Sequence, residues 1–345
     1  MNKICFNNDY SEIACPEIIE NISKYSKGHY IGYGGDEICE SAREKIKKYL
    51  GDVDCDIHFL VGGTQANTVM IDAMLKPWEA VASVVSGHIN VHEAGSIESV
   101  GHRIEPLPEH NGKMDPEELD KLCVVHEFEH MTDVKGVYIS QATETGTVYT
   151  KQELLALREV CDKHNLYMFV DGARMGSAMM SEGMDLTLED MAKIADCFYI
   201  GATKNGGMIG EAMVITNDEL KPNYRRLMKQ HGALLAKGFI LGIQYDTLFT
   251  DGLFFRLAKH ENDMAMYLKK GMKKLGVKFR FDSVTNQQFP VFENSIVEKL
   301  AERYQFEIWE PGDQETTIRF VCSWATVKED IDSLLKDIEI ITAQA

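Results

Sequence analysis

The 345-residue chain contains no window approaching the roughly 18 apolar residues that a bilayer-spanning helix needs. Its opening residues, MNKICFNNDY, lack the apolar stretch of a signal peptide. A cytoplasmic protein with no membrane partner is therefore expected. Basic residues are also scarce: 36 Lys plus Arg stand against 54 Asp plus Glu, for a net charge of −18. Such a surface repels phosphate backbones and argues against a nucleic-acid partner. The eight cysteines, at 5, 15, 39, 55, 123, 161, 197 and 322, form no CxxC pair and no cluster. They read as small buried hydrophobes of a reducing compartment, not as disulfides or a zinc knuckle.

What is present is ordinary globular composition, 44% apolar and 26% charged. The length suits two domains, or one large domain with a smaller partner. From about Asp56, short apolar runs alternate with segments of helical period, the rhythm of an α/β fold. Strands are expected at 57–61, 80–86, 136–140, 166–171, 197–202 and 212–216. Several are apolar at nearly every position, which predicts a mainly parallel sheet covered on both faces. Helical patterns at 151–164 and 186–194 supply crossovers. A long helical region from 218 to about 275 then breaks the rhythm. Strand-like segments at 278–281, 287–292, 306–310 and 316–322 follow, before a terminal helix near 328–341, predicting a small α+β C-terminal domain.

Four segments carry chemistry. The strand LYMFVD ends in Asp171 and runs into Gly172, Ala173 and Arg174; the next, CFYIGA, ends in Thr203 and Lys204. In an open α/β sheet, ligands sit beyond the carboxyl ends of strands, so an acid and an amine face one crevice. An Asp paired with a pyridinium nitrogen and a Lys forming a Schiff base are the two protein groups that pyridoxal 5′-phosphate chemistry needs. Taken singly, Asp171 also suits a helix cap and Lys204 a surface lysine. The turn VGGTQANT, at 61–68, opens a helix-like segment and offers free N–H groups to an anion such as the cofactor phosphate. It is neither a P-loop nor a dinucleotide fingerprint, because Gly-Lys-Ser/Thr and G-x-G-x-x-G are both absent there. In SGHINVHEAGS, His88 and His92 lie four apart beside Glu93. That spacing suits zinc, but neither the H-E-x-x-H order nor a third ligand is evident. After a strand, His88 is better explained as an aromatic face that stacks on a pyridine ring.

These segments, with FNNDYSEIACPEI at 6–18 and Ile-Arg-Phe-Val at 318–321, resemble the L-threonine aldolase and β-eliminating lyase family in order and over nearly the whole chain. The resemblance implies a fold type I, aspartate aminotransferase-like architecture, with a mainly parallel seven-stranded sheet. It divides the chain into an N-terminal segment (1–20) packing near the active site, a large cofactor domain (21–250) and a small C-terminal domain (251–345). It implies pyridoxal 5′-phosphate as cofactor and no metal, with an amino acid as substrate. Lys204 would hold the cofactor aldehyde, Asp171 the pyridinium, and His88 would stack and act as a base. Gly63, Thr64 and Lys237 would bind phosphate, with Lys229 competing with Lys237, and Thr203 and Arg174 would also contact the cofactor. Arg174 and Arg319 would hold the substrate carboxylate, and Asn8 would lie close to it.

The implied reaction is cleavage of L-threonine, L-allo-threonine or a related β-hydroxy-α-amino acid to glycine and an aldehyde, in a homodimer or homotetramer with sites at the subunit interface. β-Elimination is the alternative within enzymes; a non-catalytic binding protein and a zinc protein are the others. Related aldolases carry a second histidine after the strand equivalent to 136–140; here Ser140, Gln141, Ala142, Thr143 and Glu144 stand in that stretch. Tyr33, His92 and Thr143 are expected in the wall around the substrate side chain.

Overall fold

The computed structural model describes residues 3–343; residues 1, 2, 344 and 345, at the ends of the first and last expected segments, lie outside it. Seven strands form the central sheet: β1 (Asp56–Leu60), β2 (Glu79–Val84), β3 (Arg103–Leu107), β4 (Asp133–Ser140), β5 (Tyr167–Asp171), β6 (Cys197–Gly201) and β7 (Glu211–Ile215). They run in the order β1-β7-β6-β5-β4-β2-β3. All neighbours pair in parallel except those of β7, which is antiparallel to both β1 and β6. β2, β6 and β7 are buried at every position, as double-sided burial demands.

Alternation sends the side chains to two cores. Phe198 and Ile200 join Leu154, Leu157 and Leu248 on one face; Phe169, Tyr138 and Tyr199 join Val69 and Met70 on the other. The second face is roofed by the helix Gly63–Met74. The crossover helix Lys151–His164 begins on a capping box, in which Thr150 and Glu153 satisfy each other's backbone N–H groups.

The sequence reading found six of these strands by residue. It passed over β3, whose RIEPL carries two charges and a proline. β3 lies at the sheet edge, paired only with β2, where proline is tolerated. The long helical region is three helices, Tyr224–Gln230, Phe239–Leu248 and Leu253–Lys274, separated at left-handed residues that include Gly232, Asp251 and Gly252.

The C-terminal sheet is built around the strand Glu315–Val321, which pairs with Gln287–Gln288, Pro290–Glu293 and Glu307–Glu310. The run expected as one strand at 287–292 is thus interrupted at Phe289, just before Pro290, which opens the next strand and has no N–H for a continuous ladder. Its core includes Phe6, and Ile4–Cys5 pairs with Tyr304–Gln305, so the start of the chain is stitched into the C-terminal unit. From there residues 9–15 run to the central sheet, where the Cys15 N–H donates to the Gly206 carbonyl at 2.8 Å.

The parallel strands end on one edge, and antiparallel β7 begins there. That edge collects Gly62, His88, Glu144, Asp171, Lys204 and Glu211. Its geometry depends on close backbone approach at Gly172, where a Cβ would lie 1.7 Å from the Tyr199 carbonyl oxygen. Gly172→Ala should therefore cost at least about 3 kcal/mol, the upper part of the overpacking range. Urea denaturation of the two proteins measures it.

Candidate active site

A cavity of about 460 Å³ opens along this edge, a size suited to a cofactor with a small substrate. Its floor includes Gly62, Gly63 and Thr64. Gly62 is extended and precedes the helix Gly63–Met74 without any side-chain cap, so the helix presents unsatisfied N–H groups and the positive end of its dipole. A Cβ added at Gly62 would meet no atom within 4 Å and would project into open space. Thr203 lies on the same wall; its hydroxyl accepts from the Gly210 N–H at 3.0 Å and contacts Glu211 Oε1 at 3.2 Å.

Asp171 is buried at the end of β5. Its Oδ2 accepts from the Tyr138 hydroxyl at 2.5 Å and from Asn67 at 3.2 Å, and its Oδ1 from the Ala173 N–H at 3.0 Å. Burial favours the neutral acid, but the His88 charge and the hydroxyls of Tyr138 and Tyr199 outweigh it and hold the carboxyl below its ordinary value. Asp171 is thus a buried anion with capacity left for a cation. Lys204 is partly buried on the same cavity. Burial, then the Arg174 charge, push its amine below the usual lysine value against the pull of Asp9, Asp171 and Glu211. The shift is toward the neutral, nucleophilic amine. Beside it, burial pushes the Glu211 carboxyl up to about 8, against the attraction of Lys204.

His88 opens the short turn after β2. Its Nδ1 lies 2.7 Å from Glu93 Oε1, and the same oxygen accepts from Asn67 at 2.7 Å. Glu93 is buried, so this bond fixes the ring's orientation. Asn67 joins the Asp171 and Glu93 carboxylates through one amide. His92, 5.5 Å from His88 between ring centroids, also lines the cavity. Among the described residues no group of three or more His, Cys, Asp or Glu is placed to hold a metal ion.

Both expected arginines line the cavity, and each already has a carboxylate. Arg174 forms a two-pronged pair with Asp9, at 2.7 and 3.1 Å, and Asn286 also donates to Asp9 at 2.9 Å. Arg319 is held by Glu307 and by Gln287 at 2.9 Å, with its guanidinium 5.3 Å from the centre of the Trp309 ring.

The structure brings together Lys204, Asp171, His88, His92, Gly63, Thr64, Thr203, Arg174 and Arg319. Asn8 lies off the cavity wall; its side chain accepts from the Tyr10 N–H and the Ser11 hydroxyl, shaping the turn that brings Tyr10 to the cavity. Lys237 is exposed and Lys229 stacks on Tyr33, both away from this wall. Tyr33 borders a separate small cleft, and Thr143 is buried against Thr145 and Thr147. The sequence reading assigned no role to Asp9, Asn67, Tyr138, Tyr199, Glu211, Gln287, Glu307 or Trp309. Tyr138 and Tyr199 sit inside strands, where an aromatic reads as core. Asp9 is within the matched FNNDY segment, its only signal.

The model of the β-eliminating lyase family matches residues 9–295, most of the chain. The chain belongs to the β-eliminating lyase family. The low specificity L-threonine aldolase of Pseudomonas aeruginosa is 29% identical to this lyase over 97% of this chain and 96% of that protein. A solved Leishmania major threonine aldolase is 42% identical, superposes with a TM-score of 0.95 and is covered to 99%, as is this chain. An aspartate aminotransferase from Thermus thermophilus, 18% identical, superposes with a TM-score of 0.71 over 99% of this chain and 92% of its own, a likeness of fold. The mainly parallel seven-stranded sheet expected from the sequence is therefore the fold type I architecture.

Asp9 gives the lyase a testable electrostatic dependence. Burial opposes its ionisation, yet the Arg174 and Lys204 charges and its hydrogen bonds hold its carboxyl below the ordinary value. Asp9→Ala leaves Arg174 buried without its partner and should destabilise the fold by about 3–5 kcal/mol at neutral pH. Because the folded value is depressed, Asp9's contribution is present above the unfolded pKa of about 3.9 and fades as pH falls through the folded value. Urea melts at pH 7 and pH 3 should show the gap between variant and wild type narrowing in acid.

Proposed function

We propose that this lyase uses pyridoxal 5′-phosphate to cleave L-threonine, L-allo-threonine or a related β-hydroxy-α-amino acid into glycine and an aldehyde. The observation that carries this reading is the single cavity shared by an ionised buried acid, Asp171, and an amine shifted toward neutrality, Lys204. The donor set fits the cofactor at both ends. Asp171 would hold the ring nitrogen, while the uncapped helix start at Gly63 and Thr64, with Thr203, would hold the phosphate. The near-complete match to a threonine aldolase at 42% identity supports the choice of substrate class.

When bound, the cofactor supplies an electron sink for the pair left on Cα as the Cα–Cβ bond breaks. The chain's own residues do the rest. Lys204, its amine shifted toward the neutral form, would hold the aldehyde and give way to the substrate amino group. Asp171 would keep a proton on the ring nitrogen, because its own carboxyl resists protonation. His88, oriented by Glu93, would pack on the ring. Arg319 would fix the substrate carboxylate by its planar fork, with Glu307 yielding that place, and Arg174 would border the same group. The reading includes a homodimer or homotetramer in the cytoplasm, with exposed Lys237 reaching a neighbouring subunit's phosphate. Its domains are the cofactor unit at 21–250, the smaller unit at 251–345 and the N-terminal segment at 1–20.

Incubated with L-threonine, the cofactor-loaded protein should release glycine and acetaldehyde. Ammonia and a keto acid as dominant products would favour β-elimination instead. Lys204→Ala should lose the visible absorption of the bound cofactor. Arg319→Ala should keep that absorption while KM for L-threonine rises roughly 10- to 100-fold, as loss of a charged hydrogen-bonding fork implies. Steady-state kinetics beside an absorption spectrum separate the two effects.

A further inference from the structure

Glu144 follows β4 and lines the cavity. Its Oε1 accepts from the Ser140 hydroxyl at 2.6 Å and from the His88 backbone N–H at 3.1 Å. Both bonds use the same oxygen, so the carboxyl is anchored on one side while Oε2 is left for the cavity. That is the geometry of a held proton-transfer group.

The other carboxylates on this cavity are committed elsewhere. Asp171 is tied by Tyr138, Asn67 and the Ala173 N–H. Glu307 holds Arg319. Glu211 bonds Thr203 through Oε1, and its Oε2 is shut away without a partner. His88 is occupied differently. An imidazole accepts a proton in its ring plane, so a ring lying face-on to the cofactor directs its lone pair sideways, and Nδ1 is bound to Glu93.

We propose that Glu144 is the proton acceptor for the substrate's Cβ hydroxyl. This rests on the lyase reading above and names the group that reading lacks. The hydroxyl O–H bond breaks and its proton passes to Glu144 Oε2. The electron pair of that bond becomes the second C–O bond of the departing aldehyde. The Cα–Cβ bond breaks with its pair remaining on Cα, which later gains a proton to become glycine, so the overall reaction neither consumes nor releases one. The titratable groups that act on Glu144 are His88 from the turn after β2 and Asp171 from the end of β5, while its own charge is felt by the buried Tyr138 and Tyr149 hydroxyls. Burial raises the Glu144 carboxyl above its ordinary value against the Ser140 bond and its own backbone N–H, with Asp171 adding to the rise and His88 opposing it. A raised value means a stronger base than a solvated carboxylate.

Glu144→Gln keeps an oxygen for Ser140 and the His88 N–H but cannot take a proton. With L-threonine its kcat should fall about 100-fold or more, the scale of general-base catalysis, while KM and the visible absorption of bound cofactor stay as in wild type. The wild-type loss of kcat toward acid pH should sit above the ordinary glutamate range and vanish in the variant. Added formate should restore part of the activity of Glu144→Ala. In the cofactor-free protein, an infrared carboxylic-acid band that titrates in wild type should be missing from Glu144→Gln. A Glu144→Gln kcat within about threefold of wild type overturns the proposal, since general acid–base catalysis contributes far more. So does loss of kcat accompanied by loss of cofactor absorption, with no formate rescue, which makes the residue structural. A wild-type protein that forms no glycine overturns the lyase reading and this inference together, whereas a cleaving wild type with an equally active Glu144→Gln removes this inference alone.

Discussion

Asp171 is held as a carboxylate although it is buried, and a buried carboxylate is tolerated only when hydrogen bonds and nearby positive charge replace its hydration. Much of the surrounding architecture supplies that replacement. Tyr138 comes from β4, Asn67 from the roofing helix, and the Ala173 N–H from the turn forced by Gly172. Each is a side chain or turn whose position is set by the sheet. Asn67 also binds Glu93, and Glu93 orients His88, so the polar layer between sheet and helix is one connected network.

A similar balance governs the cations. Lys204, Arg174 and Arg319 crowd one cavity in a protein of net charge −18, and the surface excess of acid does little to neutralise them there. Local acids do. Asp9 answers Arg174 and Glu307 answers Arg319, while mutual repulsion between the cations helps lower the Lys204 and Arg319 values. Asp9 arrives from a segment anchored in the C-terminal unit, and Arg319 lies on that unit's central strand. The Asp9–Arg174 pair therefore links the central sheet to the C-terminal unit.

β7 shows how one reversed strand alters a site. In a wholly parallel sheet only strand ends, and the loops after them, would reach this edge. Running antiparallel, β7 puts its first residue there, and Glu211 lands beside Lys204 and Thr203. Nothing in the run EAMVI distinguishes a parallel from an antiparallel strand, because both are buried on two faces and equally apolar.

Local chemistry in the sequence was enough for the alternation of strands and helices, the uncapped Gly-Gly-Thr helix start, and the acid and amine at two successive strand ends. Those features depend on side-chain period and turn preference, which neighbouring residues dictate. Matched motifs added Arg174, Arg319 and His88. Pairing across long separations was not legible. Asp9 with Arg174, Asn67 with Asp171, and Glu144 with the His88 N–H join residues whose proximity follows only from strand order and from the path of the chain between sheets. For the same reason Asn8 and Thr143, near the cavity in sequence, bond away from its wall in space. The sequence by itself determined which chemical groups stand at the strand ends; tertiary structure decided which of them are charged, because ionisation depends on burial and on partners that only folding brings together.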